Sequence, residues 1–193
     1  MTQQKTKLHG LILAGGYSKR MGQDKALLEF HGMPQIEYVH GLLSRFCSKV
    51  FLSKRSNQKP YKRFLSIDDA PEFADQGPLG GILSAMTAYP GESWIVVACD
   101  LPFVEAATIK TLMAKRNLNK IATAFISTHD NLPEPLCTIW EGKSFDAIQK
   151  LFAEGIHCPR KILIKSDTHL IPQDNPRWLD NVNTPQELQQ IKF

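Results

Sequence analysis

Leu-Ile-Leu-Ala-Gly-Gly-Tyr-Ser-Lys-Arg-Met-Gly-Gln-Asp-Lys, residues 11–25, is an apolar strand that runs straight into a loop carrying three glycines and three cations. Leu8, Leu11, Ile12 and Leu13 supply the strand. Gly15, Gly16 and Gly22 permit positive φ and close backbone approach, so successive amides can turn toward an anion. Lys19, Arg20 and Lys25 add charge to those directed donors. The same residues would equally serve a basic strand-to-helix turn. Two familiar phosphate motifs do not fit: Gln23 follows Gly22, so the Gly-Lys-Ser/Thr ending of a P-loop is missing, and no Gly-x-Gly-x-x-Gly occurs.

Outward from this loop, strand-like and helix-like segments alternate, the pattern of an α/β fold with helices packed on a mainly parallel sheet. Ile36, Val39, Leu43 and Phe46 recur at helical spacing behind Pro34, and Val50, Phe51 and Leu52 read as a buried strand. Residues 53–63 are polar and basic and predict a loop with a short helix and a solvated face. Leu79, Ile82, Leu83 and Met86 mark a helix starting near Pro78, a residue suited to the first turn. Residues 94–99 predict a second apolar strand, stopped at Asp100-Leu101-Pro102. A helix over 104–115, a strand over 121–126 and a strand over 135–140 follow, the last free to run against the others. Ser144 can cap a helix bearing Phe145, Ile148, Leu151 and Phe152. Asn181-Val182-Asn183 predicts a short extended stretch, and Thr184-Pro185-Gln186-Glu187 a capping box that opens a final helix.

The whole chain, 193 residues, suits one domain spanning 1–193 with a substantial core. At 42% hydrophobic and 22% charged it has an ordinary globular composition. A net charge of +4 favours anionic small molecules, and the lack of a basic tail leaves nucleic acid a minor option. No apolar export segment opens the chain and no stretch could span a bilayer, so a cytoplasmic protein without membrane contact is expected. Cys47, Cys99, Cys137 and Cys158 are far apart and read as buried reduced thiols. The six histidines show no metal-ligand spacing.

In open parallel sheets, ligands gather beyond the carboxyl ends of the strands. The glycine loop meets that condition, and so does Asp100, directly after its strand. A carboxylate there can hold Mg²⁺, which prefers oxygen and fills its shell with substrate phosphates; an aspartate after a strand is also a common turn former. Gly77-Pro-Leu-Gly-Gly-Ile82 places three glycines at a helix mouth, either as an anion site or as a turn demanded by packing. Asp68 and Asp69 between these loops could meet a ribose hydroxyl, a base edge or a metal, or simply be solvated.

The wording Leu-Ala-Gly-Gly-x-Ser-x-Arg-Met-Gly-x-Asp-Lys resembles the signature of nucleotidyltransferases that activate small phosphorylated acceptors, and within them the molybdenum cofactor guanylyltransferases. Gly77-Pro78-Leu79-Gly80-Gly81, Cys99-Asp100-Leu101-Pro102-Phe103 and Asn181-Val182-Asn183-Thr184-Pro185 resemble three further blocks of that family, in the same order. The resemblance implies a three-layer Rossmann-like nucleotidyltransferase fold, with helices on both faces of the sheet. It implies nucleotide contacts from Leu13, Ala14 and Gly15, and from Asp69 with Asp68 as the alternative register. Gly77 and Gly80 would belong to the second glycine loop, Arg20 and Lys25 would bind phosphates, and Asp100 would bind Mg²⁺. Asn181 and Asn183 would lie near acceptor and metal. Two positions depart from the family pattern: Ser53 stands where asparagine is common, and Glu134-Pro135 where histidine-proline is common.

The implied reaction is transfer of GMP from GTP to the terminal phosphate of molybdenum-molybdopterin, with pyrophosphate released. Molybdoenzymes or their chaperones are the implied recipients of the product. Cytidylyl transfer to the same pterin, another small-molecule nucleotidyl transfer, and a nucleotide-binding protein without turnover are the alternatives. No base-reading constellation chooses guanine without the resemblance.

Overall fold

The computed structural model describes residues 7–14, 28–58 and 61–182. They form one seven-stranded sheet in the order β3-β2-β1-β4-β6-β5-β7. The strands are β1 (Leu8–Leu13), β2 (Val50–Lys54), β3 (Leu65–Asp68), β4 (Ser93–Ala98), β5 (Ala122–Ile126), β6 (Pro133–Trp140) and β7 (Thr168–Ile171). The pairs β1–β2, β1–β4, β2–β3 and β5–β7 are parallel. β6 is antiparallel to both β4 and β5, so it alone among these strands runs backwards.

Among the described residues five α-helices cover the sheet: α1 (Gln35–Leu43), α2 (Gly77–Ala88), α3 (Ala106–Ala114), α4 (Phe145–Ala153) and α5 (Pro159–Lys165). Both faces of the central strands are apolar, as expected when helices lie on each side. Along β4, Ile95 and Val97 join the core beneath α1 and α3, while Trp94 and Val96 join the core beneath α2, α4 and α5. β1 divides the same way, with Ile12 on the first face and Leu11 on the second. This period-two alternation between two buried faces makes the three layers. None of the described helices is long and apolar enough to cross a membrane.

Several expectations need correction. Ser53 and Lys54 are the end of β2, not a loop, and β3 follows where no strand was expected. Lys54 is buried and paired with Asp68 at 2.6 Å, so that part of the basic stretch is not a solvated face. No helix forms among the described residues between β2 and β3. Ser144 precedes α4 without capping it, because its hydroxyl donates to the Glu141 carbonyl instead. α5 and β7 were also unforeseen. All four cysteines are free, but only Cys99 and Cys137 are buried; Cys47 is half-buried and Cys158 exposed. The helix expected from Thr184 lies outside the described residues.

At the end of the sheet where β4 begins, a buried ionic cluster fastens β4, β6 and the chain after α3. Arg116 donates Nε and Nη2 to the two carboxylate oxygens of Glu141 at 2.7 and 2.6 Å, and Ser93 Oγ donates to Glu141 Oε2 at 2.8 Å. Bidentate geometry and a third donor satisfy a carboxylate that is only 3% exposed.

Candidate functional site

The chain passes from β1 through β2 to β3 on one side and then crosses back to place β4 on the other side of β1. Such a reversal of strand order opens a crevice at the carboxyl ends of the strands. Leu13 is level with Ser53 of β2 and with Ala98 of β4. The Ala14 amide donates to the Ser53 carbonyl at 3.2 Å, and the Cys99 amide donates to the Leu13 carbonyl at 3.4 Å. Asp69 continues the row, its amide bonded to the Lys54 carbonyl at 2.9 Å. The ends of β3, β2, β1 and β4 therefore bring Asp69, Ser53, Leu13, Ala14 and Asp100 to one edge.

Asp68 and Asp69 are distinguished by their partners. Asp68 is exposed and tied to Lys54, whereas Asp69 is half-buried and accepts a 3.5 Å hydrogen bond from Ser53 Oγ. Burial pushes the Asp69 carboxyl above the ordinary value, while the Ser53 hydroxyl and Arg55 pull it back down. Ser53, the departure from asparagine, thus turns its hydroxyl toward Asp69. Gln58 was not singled out in the sequence; its side-chain amide donates to the Ala14 carbonyl at 3.5 Å and to the Tyr61 hydroxyl at 2.9 Å.

The second glycine loop works by close approach. Gly77 opens α2 at φ +57°, a left-handed conformation that suits glycine. A Cβ on Gly80 would come 2.4 Å from the Phe73 carbonyl, so packing alone demands glycine there. A Cβ on Gly81 would meet Ser53 Oγ at 2.2 Å, which brings the first turns of α2 directly against the end of β2.

Asp100 stands two residues beyond β4, in a loop held from two sides. Gln35 Nε2 donates to the Leu101 carbonyl at 3.1 Å, and His31 Nε2 lies 2.8 Å from the Pro102 carbonyl while its ring stacks on Tyr38. From the other side the Val182 amide donates to the Asp100 carbonyl at 3.0 Å, which seats Asn181 beside the strand end. Trp178 and Leu179 bury themselves behind it, and Trp178 Nε1 donates to Glu105 Oε1 at 2.7 Å in the capping box of α3. Val182 also packs with Leu28 and Phe30. Both flanks of the first glycine loop, Ala14 and Leu28, therefore touch the site. Gly15, Arg20 and Lys25 within that loop, and Asn183, lie outside the described residues.

On the β6 side of Asp100 lies a cavity of about 610 Å³. Leu101 and Phe103 of the Asp100 loop, Asn181 and Val182, Glu134 and Pro135 of β6, and Arg160 of α5 all line it. Arg177 also lines it, its guanidinium 4.2 Å from the centre of the Phe103 ring. Glu134, the second departure, pairs with Arg160 at 3.0 Å. Arg160, Arg177 and His129 were not foreseen, because none belongs to a motif; they meet only through the β5–β6 turn, α5 and the 176–182 segment.

The site offers a hard carboxylate just beyond the end of β4. No group of three or more His, Cys, Asp or Glu able to hold a metal occurs among the described residues. A metal on Asp100 would draw its remaining ligands from phosphates and water, a donor set that fits Mg²⁺.

Comparison with known proteins gives the family. The chain is 37% identical over 189 residues to the molybdenum cofactor biosynthesis bifunctional protein of Synechocystis sp., covering 96% of this chain but only 54% of that protein. It is 33% identical over 185 residues to the molybdenum cofactor guanylyltransferase of Pseudomonas fluorescens, covering 93% of this chain and 90% of that one. Among solved structures, molybdopterin-guanine dinucleotide biosynthesis protein A from Archaeoglobus fulgidus superposes with a TM-score of 0.76 at 23% identity, over 94% of this chain and 95% of that one. The 2-C-methyl-D-erythritol 4-phosphate cytidylyltransferase of Thermus thermophilus superposes at 0.68 and 13% identity, over 93% and 94%. At such identities the structures speak for the fold alone, the Rossmann-like fold of nucleotidyltransferases. Residues 10–169 match the model of the MobA-like NTP transferase domain, and the chain belongs to that family of nucleotidyltransferases.

Proposed function

We propose that this chain transfers GMP from GTP to the terminal phosphate of molybdenum-molybdopterin and releases pyrophosphate. The observation that carries the reading is Asp100, just past β4 at the edge shared with Asp69, Ser53, Leu13 and Ala14, in a loop that Val182 ties to Asn181 and whose next residue, Leu101, lines a cavity. A transferase that joins two substrates needs room for both beside the reacting phosphorus. The names of the relatives in sequence, molybdenum cofactor guanylyltransferases, support the choice of substrates.

Backbone groups of Leu13, Ala14 and Gly15, with Asp69 and Ser53, hold the nucleoside end. Gly77 lets α2 begin in contact with this crevice, and Gly80 lets it pack closely. Arg20 and Lys25 neutralise the phosphates and the departing pyrophosphate. The acceptor phosphate is already a nucleophile, so the protein's work is alignment of attack and leaving group. Asp100, Asn181 and Asn183 would hold Mg²⁺ and the acceptor phosphate. Mg²⁺ supplies polarisation of the phosphoryl oxygens when bound. The reaction is placed in the cytoplasm, where GTP is available, and molybdoenzymes or their chaperones would receive the product.

Asp100→Ala should lower pyrophosphate release by about 10²–10³-fold or more, with the melting temperature little changed. Near-normal turnover would refute the assignment. GTP with Mg²⁺ should raise the melting temperature more than ATP, CTP or UTP does; a larger rise with CTP would replace guanylyl by cytidylyl transfer.

A further inference from the structure

We infer that Glu134, clamped by Arg160, is the residue that reads the hydrogen-bond donor edge of the acceptor's ring. The inference rests on the pterin acceptor proposed above. Glu134 stands at the start of β6 and lines the cavity, its side chain 16% exposed. The β4–β6 register ends at Val97 opposite Cys137. Asp100 and Glu134 each lie three residues past that pair, toward the same end of the sheet.

Arg160 Nη2 donates to Glu134 Oε2 at 3.0 Å, and Arg160 Nη1 donates to Asp130 Oδ2 at 2.7 Å. One guanidinium from α5 thus fixes a carboxylate from β6 and another from the β5–β6 turn. Thr138 Oγ1 adds a hydrogen bond to the Glu134 carbonyl, which pins the backbone beneath the side chain. A carboxylate held this way is preorganised, and each carboxylate oxygen can accept more than one hydrogen bond.

Charge orients the ligand. Arg160 offsets one of the two charges of Glu134 and Asp130, so the cluster keeps a net negative charge beside the free carboxylate oxygen of Glu134, while Asn181 and Arg177 line the same cavity as groups that can face a phosphate. Whatever faces Glu134 must donate. A 2-amino-4-oxo-pyrimidine ring presents adjacent N3–H and 2-amino donors, and this pair matches a carboxylate as a guanidinium does. Replacing the 2-amino group by oxygen, as in a lumazine, turns one donor into an acceptor and sets oxygen against oxygen, leaving a buried polar group unpaired.

The test uses the full chain with two fluorescent probes, 6-hydroxymethylpterin monophosphate and 6-hydroxymethyllumazine monophosphate, and reads binding from ring fluorescence. The wild-type protein should favour the pterin by 10-fold or more. Glu134→Gln should weaken pterin binding by about 10–100-fold and abolish the preference, with the GTP-induced rise in melting temperature retained. Glu134→Asp should bind more weakly but keep the preference, because the charge survives while the reach shortens. An undiminished preference in Glu134→Gln overturns the inference and leaves the proposed reaction standing. A wild-type protein that responds to GTP but binds neither probe overturns both.

Discussion

Gly81→Ala and Gly41→Ala make the same chemical change in two helices and should move stability in opposite directions. Both positions gain about 1 kcal/mol of helix propensity when glycine becomes alanine. At Gly41, in α1, the new Cβ meets nothing within 4 Å, so the gain stands and the protein should be about 0.5–1 kcal/mol more stable. At Gly81 the Cβ would lie 2.2 Å from Ser53 Oγ, 3.0 Å from Ser53 Cβ and 3.2 Å from Leu13 Cδ2. The hydroxyl can rotate away and give up its bond to Asp69. Ser53 Cβ and Leu13 cannot move so easily, because the two residues are level across β1 and β2. Overpacking of this kind costs about 1–3 kcal/mol, so the net loss should be about 1 kcal/mol, or roughly 2–4 °C in Tm. Urea unfolding at constant m measures the difference between the variants, expected near 2 kcal/mol. Ser53→Ala in the Gly81→Ala background removes the shortest contact and should recover part of the loss. If Gly81→Ala is as stable as the wild type, or both variants shift the same way, the close seating of α2 on β2 is wrong.

Three other outcomes follow from buried groups. Glu141→Ala strands the Arg116 guanidinium and should cost about 3–5 kcal/mol in thermal or urea unfolding, and the double variant with Arg116→Ala should cost less than Glu141→Ala alone. Burial pushes the His9 imidazole below its ordinary value of 6.5, with Lys49 and Lys7 adding to the shift and Glu92 opposing it. The unfolded chain then takes up a proton that the folded protein refuses. Stability from this group is therefore full above pH 6.5 and declines as the pH falls toward the folded pKa, so Tm plotted from pH 7.5 to 5 should drop less in His9→Gln. Iodoacetamide at pH 8, followed by mass spectrometry, should modify exposed Cys158 first, since burial pushes the Cys47 and Cys137 thiols up to about 12. Faster reaction at Cys137 would contradict its burial in β6.

The elements most legible in the sequence were those that bury the most. β1 and β4 announce themselves because both faces are apolar, and α2 because Leu79, Ile82, Leu83 and Met86 all reach the core. β3 escaped because only Ile67 of its four residues is buried, so an edge strand looks like polar loop. Lys54 misled for a related reason: composition reports its charge, and only pairing across to β3 reveals that Asp68 neutralises it. Ser144 offered a cap by type, but a nearby carbonyl competed for its hydroxyl. At the site, Asp100 and Asn181 were readable as motif members and the fold brings them together through the Val182 amide. Arg160, Arg177 and Gln58 were not readable, since each acts through tertiary placement and carries no local pattern.

The reversed strand β6 gives the molecule a seam. The crevice side is built from strand ends and helix starts that the parallel β1–β4 layout fixes jointly, so altering one disturbs its neighbours. The cavity side is framed by the turn of the β5–β6 hairpin, residues 127–132, and by α5, which precedes the edge strand β7. Residues there can be lengthened or exchanged without shifting the register of β1 against β2 or β4. The fold thus separates a jointly fixed half from an adjustable one, so under the proposed function the cavity side could change its ligand while the strand ends of β1–β4 stay as they are.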